Sequence, residues 1–205
     1  LGAGYHSLDT GTKLASATGI RTAMANKDNI SGLLPDNCLN IIKNHTTIEY
    51  NDFSTVLGSK LLSMDTLDHI EGINQDLSNR IANNKYNFTD IETFIPMLQS
   101  KNYTYSAISR ALLHIILDIK TDDIKEFVNN NYAMILGFTK KLSEISKSTK
   151  IPLVSKFATF YKEADNNQRK MLDINLKADN LYRMIYMNKT GETLPTEFQR
   201  QIIIF

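Results

Sequence analysis

Ser16, Thr18, Gly19 and Arg21 follow one another at a spacing that suits anion chemistry. A serine at a helix start has a hydroxyl that can accept from the free N–H groups of the first turn. Thr18 brings a second hydroxyl to the same turn, and Gly19 removes the side chain that would block a ligand. Arg21 falls about one and a half turns into the helix, close enough for its guanidinium to fold back toward that end. Free N–H groups, a positive dipole end, two hydroxyls and a fork-shaped cation describe a phosphate site. An ordinary capped surface helix reads the same way, and the motif alone does not separate the two. His6, in the glycine-rich stretch before this turn, either contacts a nucleotide or caps local backbone.

A second set of chemistry-bearing residues follows a hundred positions later. Lys101, Tyr103, Tyr105 and Arg110 join two cations to two aromatic rings at the start of an apolar helix. Such a group can stack on an RNA base while holding phosphate. Tyrosines packed on the domain with their hydroxyls outward are the alternative. Charge supports the first reading. Residues 1–100 carry seven basic and eleven acidic side chains, net −4, whereas residues 101–205 carry sixteen and eleven, net +5. Lys140, Lys141, Lys147, Lys150 and Lys156 face only Glu144 over a short span, the footprint of a phosphate-backbone contact or of a solvated lysine-rich face.

The stretch Ser16-Ala17-Thr18-Gly19-Ile20-Arg21 resembles the Ser-x-Thr-x-x-Arg signature of nucleotidyltransferase-fold ATP sites. With Gly2-Ala3-Gly4-Tyr5-His6-Ser7, Lys101-Asn102-Tyr103-Thr104-Tyr105 and Ser109-Arg110-Ala111-Leu112-Leu113-His114, the chain resembles the bacterial tRNA(Met) cytidine acetate ligase family. Asp173-Ile174-Asn175-Leu176-Lys177-Ala178 through Tyr182 is similar to an element near that family's carboxyl end; Ala107 and Lys177 stand where the family usually has arginine. The resemblance implies an ATP-dependent ligase that activates acetate as acetyl-adenylate and acetylates the wobble cytidine of elongator tRNA(Met), in the cytoplasm. It implies ATP, with magnesium, at Ser16, Thr18, Arg21 and His6. It implies tRNA at Lys101, Tyr103, Tyr105, Arg110, Lys140, Lys141 and Lys177. It also marks the chain as the carboxyl-terminal portion of a longer protein, without the amino-terminal ATP-motif segment and inactive alone. A non-catalytic RNA- or protein-binding helical module remains the alternative.

These residues need elements to position them, and 205 residues suffice for one sizeable domain or two small ones. With 42% hydrophobic and 22% charged residues, the composition is that of a soluble globular protein. The closing Ile202-Ile203-Ile204-Phe205 is far too short to span a bilayer. Cys38 is the lone cysteine, which excludes an internal disulfide and fits a reducing compartment. No zinc-type spacing, Walker loop, nucleophile elbow or internal repeat appears, and no catalytic residue is assigned. His45 and His69 lack partners at ligand spacing.

The expected fold class is mainly α with a small βαβ element, the helical part of a nucleotidyltransferase-like protein. Residues 1–25 would end the ATP-binding domain and 26–205 would form a mostly helical tRNA-binding domain. Helical spacing is read through Cys38, Leu39, Ile41 and Ile42, through Tyr50 to Leu62, and again through Leu67, Ile70, Ile73, Leu77 and Ile81. Thr89 is the expected cap of the next helix, with Glu92 completing a capping box. The helix from Thr104 or Ser106 to Ile119 is apolar nearly all round and should be buried. Tyr132–Phe138 and Ile151–Phe157 read as parallel buried strands around a short helix. A long helix over Asn167–Met187 buries Met171, Ile174, Ala178, Leu181, Tyr182 and Ile185, before a loop and a final apolar strand or docked tail.

Overall fold

The computed structural model describes residues 16–43, 46–127, 131–138 and 149–204. Two compact units make up the chain, Leu1–Thr47 and Ile48–Phe205. In the first, α1 (Ala17–Ala25) and α2 (Asp36–Lys43) flank a turn-rich connector. Asn29 Oδ1 accepts from the Ser31 amide there, and Gly32 takes φ +82°. The Pro35 carbonyl accepts from the Cys38 and Leu39 amides and opens α2. Leu39 is buried as its place in the apolar stripe requires, whereas Ile41 faces solvent. His45 lies outside the described residues.

In the second unit the core gathers around α6 (Tyr105–Leu117), whose Ile108, Ala111, Leu112, Ile115 and Ile116 are all buried. Packed about it are α3 (Ser54–Ser63), α4 (Gln75–Asn84) and α5 (Ile91–Leu98), which bury Leu57, Leu61, Leu77, Ile81, Phe94 and Leu98. The starts of α4, α5 and α6 are each capped by a side chain from the preceding loop. Asn74 accepts from the Leu77 amide, Asp90 from Thr93 and Thr104 from Ala107. The cap of α5 is therefore Asp90; Thr89, the expected cap, donates its hydroxyl to Asp90 Oδ2. A carboxylate accepts from the exposed amide more strongly than a hydroxyl, so Asp90 holds the position. The buried Ser54 hydroxyl accepts from the Ile91 amide at 3.1 Å and joins α3 to α5.

Leu67, Ile70 and Ile73 are buried as read, but as successive turns rather than helix. The Ile70 amide reaches the Leu67 carbonyl and the Ile73 amide reaches Ile70, so a three-residue spacing is met by two single turns. Gly72 at φ +80° breaks any helix here. Ile70 then pairs with Lys120, and the Glu71 amide donates to Ile119. The same loop takes His114 Nδ1, which donates to the Glu71 carbonyl at 2.8 Å. Asp118 closes α6 in the left-handed region, φ 55°.

After α7 (Thr121–Phe127), the expected strand over Tyr132–Phe138 breaks into two. β1 (Ala133–Met134) pairs in parallel with β3 (Leu153–Val154), and β2 (Gly137–Phe138) pairs in parallel with β4 (Ile203–Ile204). The parallel pairing was legible. Full burial was not realised, since Val154 alone among these strand residues is buried and Leu136 faces solvent. The helix expected between the two strands lies outside the described residues. A smaller core of Phe157, Ala164 and Leu172 forms beneath α8 (Phe157–Glu163) and α9 (Asn166–Thr190).

α9 starts on a capping box, with Asp165 accepting from the Asn167 and Gln168 amides, and ends at Gly191 with φ 75°. Its buried residues are Leu172, Ile185 and Tyr186, and Tyr182 is exposed. The helix serves two cores in turn, Leu172 in the smaller and Leu181 against the larger, so no single stripe runs its length. Near its end Lys189 meets Asp52 at 2.7 Å across 137 positions of chain. Burial pushes the Asp52 carboxyl up, but the Glu49 amide and the Lys189 ammonium outweigh it and hold it below its ordinary value. A carboxylate with a lowered folded pKa adds stability above its unfolded pKa, and that part is lost as pH falls through the folded value. Asp52→Asn should therefore cost about 1 kcal/mol in urea unfolding at pH 7, and the gap from wild type should close as pH falls through the lowered carboxyl pKa.

Candidate functional site

At the start of α1, Ser16 sits in extended backbone, and its Oγ accepts from the Gly19 amide at 3.0 Å. The Ser16 carbonyl accepts from Ile20 at 3.0 Å, closing the first turn. Helix geometry leaves the Ala17 and Thr18 amides without intrahelical acceptors. Thr18 is half-buried, its hydroxyl without a partner among the described residues, and its carbonyl takes the Thr22 hydroxyl at 3.1 Å. Gly19 is buried, so the backbone itself forms the floor. Arg21 is exposed, and no ion pair or hydrogen bond holds it among the described residues. The first turns of α2, α4 and α5 each hold an acidic side chain, Asp36, Asp76 and Glu92, whereas that of α1 holds none, as in α3, α6, α8 and α9. An anion arriving at α1 meets dipole, amides, hydroxyls and a guanidinium, with no carboxylate in the first turn to displace. His6 lies outside the described residues.

The expected RNA-facing residues differ in their surroundings. Tyr103 is used by the fold: its ring packs on the main core and its hydroxyl donates to Asn74 Oδ1, the oxygen that caps α4. Tyr105, two positions on and 43% exposed, stands near Glu92 and Tyr50. Burial raises its phenol pKa first, and those two neighbours raise it further. Lys101 and Arg110 are exposed. Lys140 and Lys141 lie outside the described residues.

Lys177 lines a cleft of about 530 Å³ together with Lys120, Lys170, Asp118, Asp123 and Asp173. Lys120 and Lys170 were not singled out from sequence, although Lys170 and Lys177 lie seven positions apart on α9, two turns on one face. Three lysines balance three aspartates there, so the cleft has no net charge. The Asp122-Asp123 pair heads α7. Among the described residues no group of three or more His, Cys, Asp or Glu side chains could hold a metal ion. No helix there is long and apolar enough to cross a membrane.

The architecture is a mainly helical one with small parallel sheets. Family comparison assigns residues 1–196 to the HIGH nucleotidyl transferases. The chain belongs to that family. It is similar to the tRNA(Met) cytidine acetate ligase of a Thermoanaerobacter species, 30% identical over 197 residues, covering 91% of this chain and 49% of that protein. The Clostridium acetobutylicum protein of the same name is 27% identical over 215 residues, covering 99% of this chain and 51% of its own length. The crystal structure of Thermotoga maritima TmcAL bound with alpha-thio ATP superposes with a TM-score of 0.79 at 21% identity, over 94% of this chain and 53% of that one. The chain spans about half the length of the curated relatives it matches.

The two uses of Asn74 Oδ1 can be separated from any role in RNA binding. Asn74→Ala should lower stability by about 1–2 kcal/mol in chemical denaturation, for a lost cap and a lost tyrosine partner. Tyr103→Phe should lose about half of that and leave the cap in place.

Proposed function

We propose that this chain is the phosphate-side and RNA-binding part of an ATP-dependent tRNA cytidine acetate ligase. The observation that carries the reading is the capped, carboxylate-free start of α1 with Arg21 unpaired among the described residues. It lies inside the region matched to the HIGH nucleotidyl transferases, and the relatives' name supplies the substrate class. In this reading residues 1–25 end the ATP-binding domain and residues 26–205 hold the tRNA, in the cytoplasm.

Acetate oxygen attacks the α-phosphorus of ATP and pyrophosphate leaves, giving acetyl-adenylate. The exocyclic amine of the wobble cytidine of elongator tRNA(Met) then takes the acetyl group and AMP leaves. Charge builds on the phosphates in the first step, where fixed donors act most strongly. Ser16 shapes the turn, Thr18 and the first free amides face the phosphates, and Arg21 neutralises them, with His6 on the nucleotide from the preceding stretch. A magnesium ion accompanying ATP would be held here by phosphate oxygens and water, since the first turn of α1 carries no carboxylate.

In the protein that carries this chain, Arg21→Ala should weaken ATP binding or acetate-dependent pyrophosphate release at least tenfold, the scale of one charge-assisted contact. Unchanged ATP titration and unchanged pyrophosphate release would rule the role out. Retained tRNA binding with no acetate-dependent pyrophosphate release in the wild type would favour the non-catalytic module.

The excess of positive charge after residue 100 supports a tRNA-facing surface there, with Lys101, Tyr105, Arg110, Lys140, Lys141 and Lys177 as contacts. Replacing Lys140 and Lys141 together by Ala should make tRNA affinity fall less steeply with salt, by about 0.9 logarithmic units per lost duplex phosphate contact. The melting temperature should stay nearly unchanged. An identical salt slope in the double variant would remove those lysines from the surface.

A further inference from the structure

We infer that the cleft between the start of α8 and the segment after α9 takes one unpaired nucleotide of RNA, its base against Phe198 and its phosphate at Lys156 and Arg200. The inference rests on the RNA reading above but concerns residues that reading does not use.

The cleft measures about 640 Å³, within the roughly 300–1,000 Å³ of small-ligand sites. Lys156, Phe198, Arg200 and Gln201 line it, and no acidic side chain does among the described residues. Phe198 is 49% exposed yet fixed from behind. Its ring meets Phe157 at 5.2 Å and Tyr161 at 5.7 Å, both edge-to-face. Tyr161 is held in turn, because its hydroxyl donates to Asp173 Oδ1 at 2.7 Å and Arg169 lies over its ring. An immobilised, half-exposed ring stacks on a base at little entropic cost.

The cations are placed to complement it. The Lys156 carbonyl accepts from the Phe160 amide, and its ammonium has no hydrogen bond or ion pair among the described residues. Glu197, whose side chain is only 13% exposed, pairs with Arg200, whose side chain is 46% exposed. The carboxylate thus positions the guanidinium while leaving part of it open to solvent. The Gln201 amide has no partner among the described residues and offers a donor and an acceptor to a base edge. Ring, amide and two cations on one concave surface match a nucleotide that is out of its stack, as a duplex could not present its bases here. An acidic peptide would use the cations and leave the ring idle.

The test compares wild type, Lys156→Ala, Gln201→Ala, Phe198→Ala and Phe198→Trp in the protein that carries this chain. The probes are a tRNA(Met) transcript and a short oligocytidylate, with polyglutamate as competitor. Lys156→Ala should weaken oligocytidylate binding about threefold to tenfold and reduce its salt slope by about 0.7, one single-strand phosphate. Phe198→Ala should weaken it about tenfold or more at an unchanged slope, and Phe198→Trp should restore it. Because Phe198 also packs on α8, Lys156→Ala and Gln201→Ala test the cleft without touching that packing. Wild-type RNA binding that none of the four variants alters would overturn the cleft and leave the RNA reading standing. A wild type that binds neither probe overturns both. Displacement of oligocytidylate by polyglutamate at equal charge overturns stacking, since charge alone would then be read.

Discussion

Burial of α6 on almost every side is the constraint under which the second unit is built. Ile108, Ala111, Leu112, Ile115 and Ile116 point in directions that one neighbouring helix cannot cover. α3 and α5 close two sides, and α9 contacts a third. The turns over 67–73 reach it through the Glu71 carbonyl and His114. Burying large aliphatic side chains stabilises by about 1.5–3 kcal/mol each, so the helix is far too apolar to stand alone. Its polar ends are the places where the chain can leave the core, at Thr104 and at Asp118.

Helix starts in this chain differ in the charge that their caps bring to the dipole end. Asp90 and Asp165 put a full negative charge at the dipole end of α5 and α9, and the Asn74 oxygen is shared with Tyr103. At α1 the cap is a neutral hydroxyl, and the nearest charged side chain within the helix is the cation Arg21. Two starts with similar backbone geometry are thus opposite in what they attract. Anions are drawn to the one whose own charge does not already answer the dipole.

Local periodicity carried most of the fold's legibility. The capped helix at Ser16, the buried helix after Thr104 and the parallel pairing near 133 and 153 were all readable. The departures share a cause, which is that pattern reports burial before it reports conformation. Leu67, Ile70 and Ile73 are buried, yet a spacing of three also fits turns, and Gly72 decided between them. Tyr182 fits the stripe of α9, but that helix changes partners along its length. The candidate site was readable only where it is local. Ser16, Thr18 and Arg21 lie on one turn and a half, whereas the use of Tyr103 depends on an oxygen 29 positions away. Phe198 and Lys156 share a cleft across 42 positions, a proximity that no spacing rule announces.

The division of the segment Ala133–Phe138 between two sheets bears on how the chain must assemble. β1 joins β3 across 20 positions, from 133 to 153, while β2 joins β4 across 66, from 137 to 203. Closing the longer loop costs about 1 kcal/mol more chain entropy, and each closure returns only two residue pairs. Neither ladder can carry its own closure, so both depend on what the intervening helices have already buried. The β2–β4 pairing is therefore a long-range contact whose closure should follow the packing of the helices between its strands and not nucleate it.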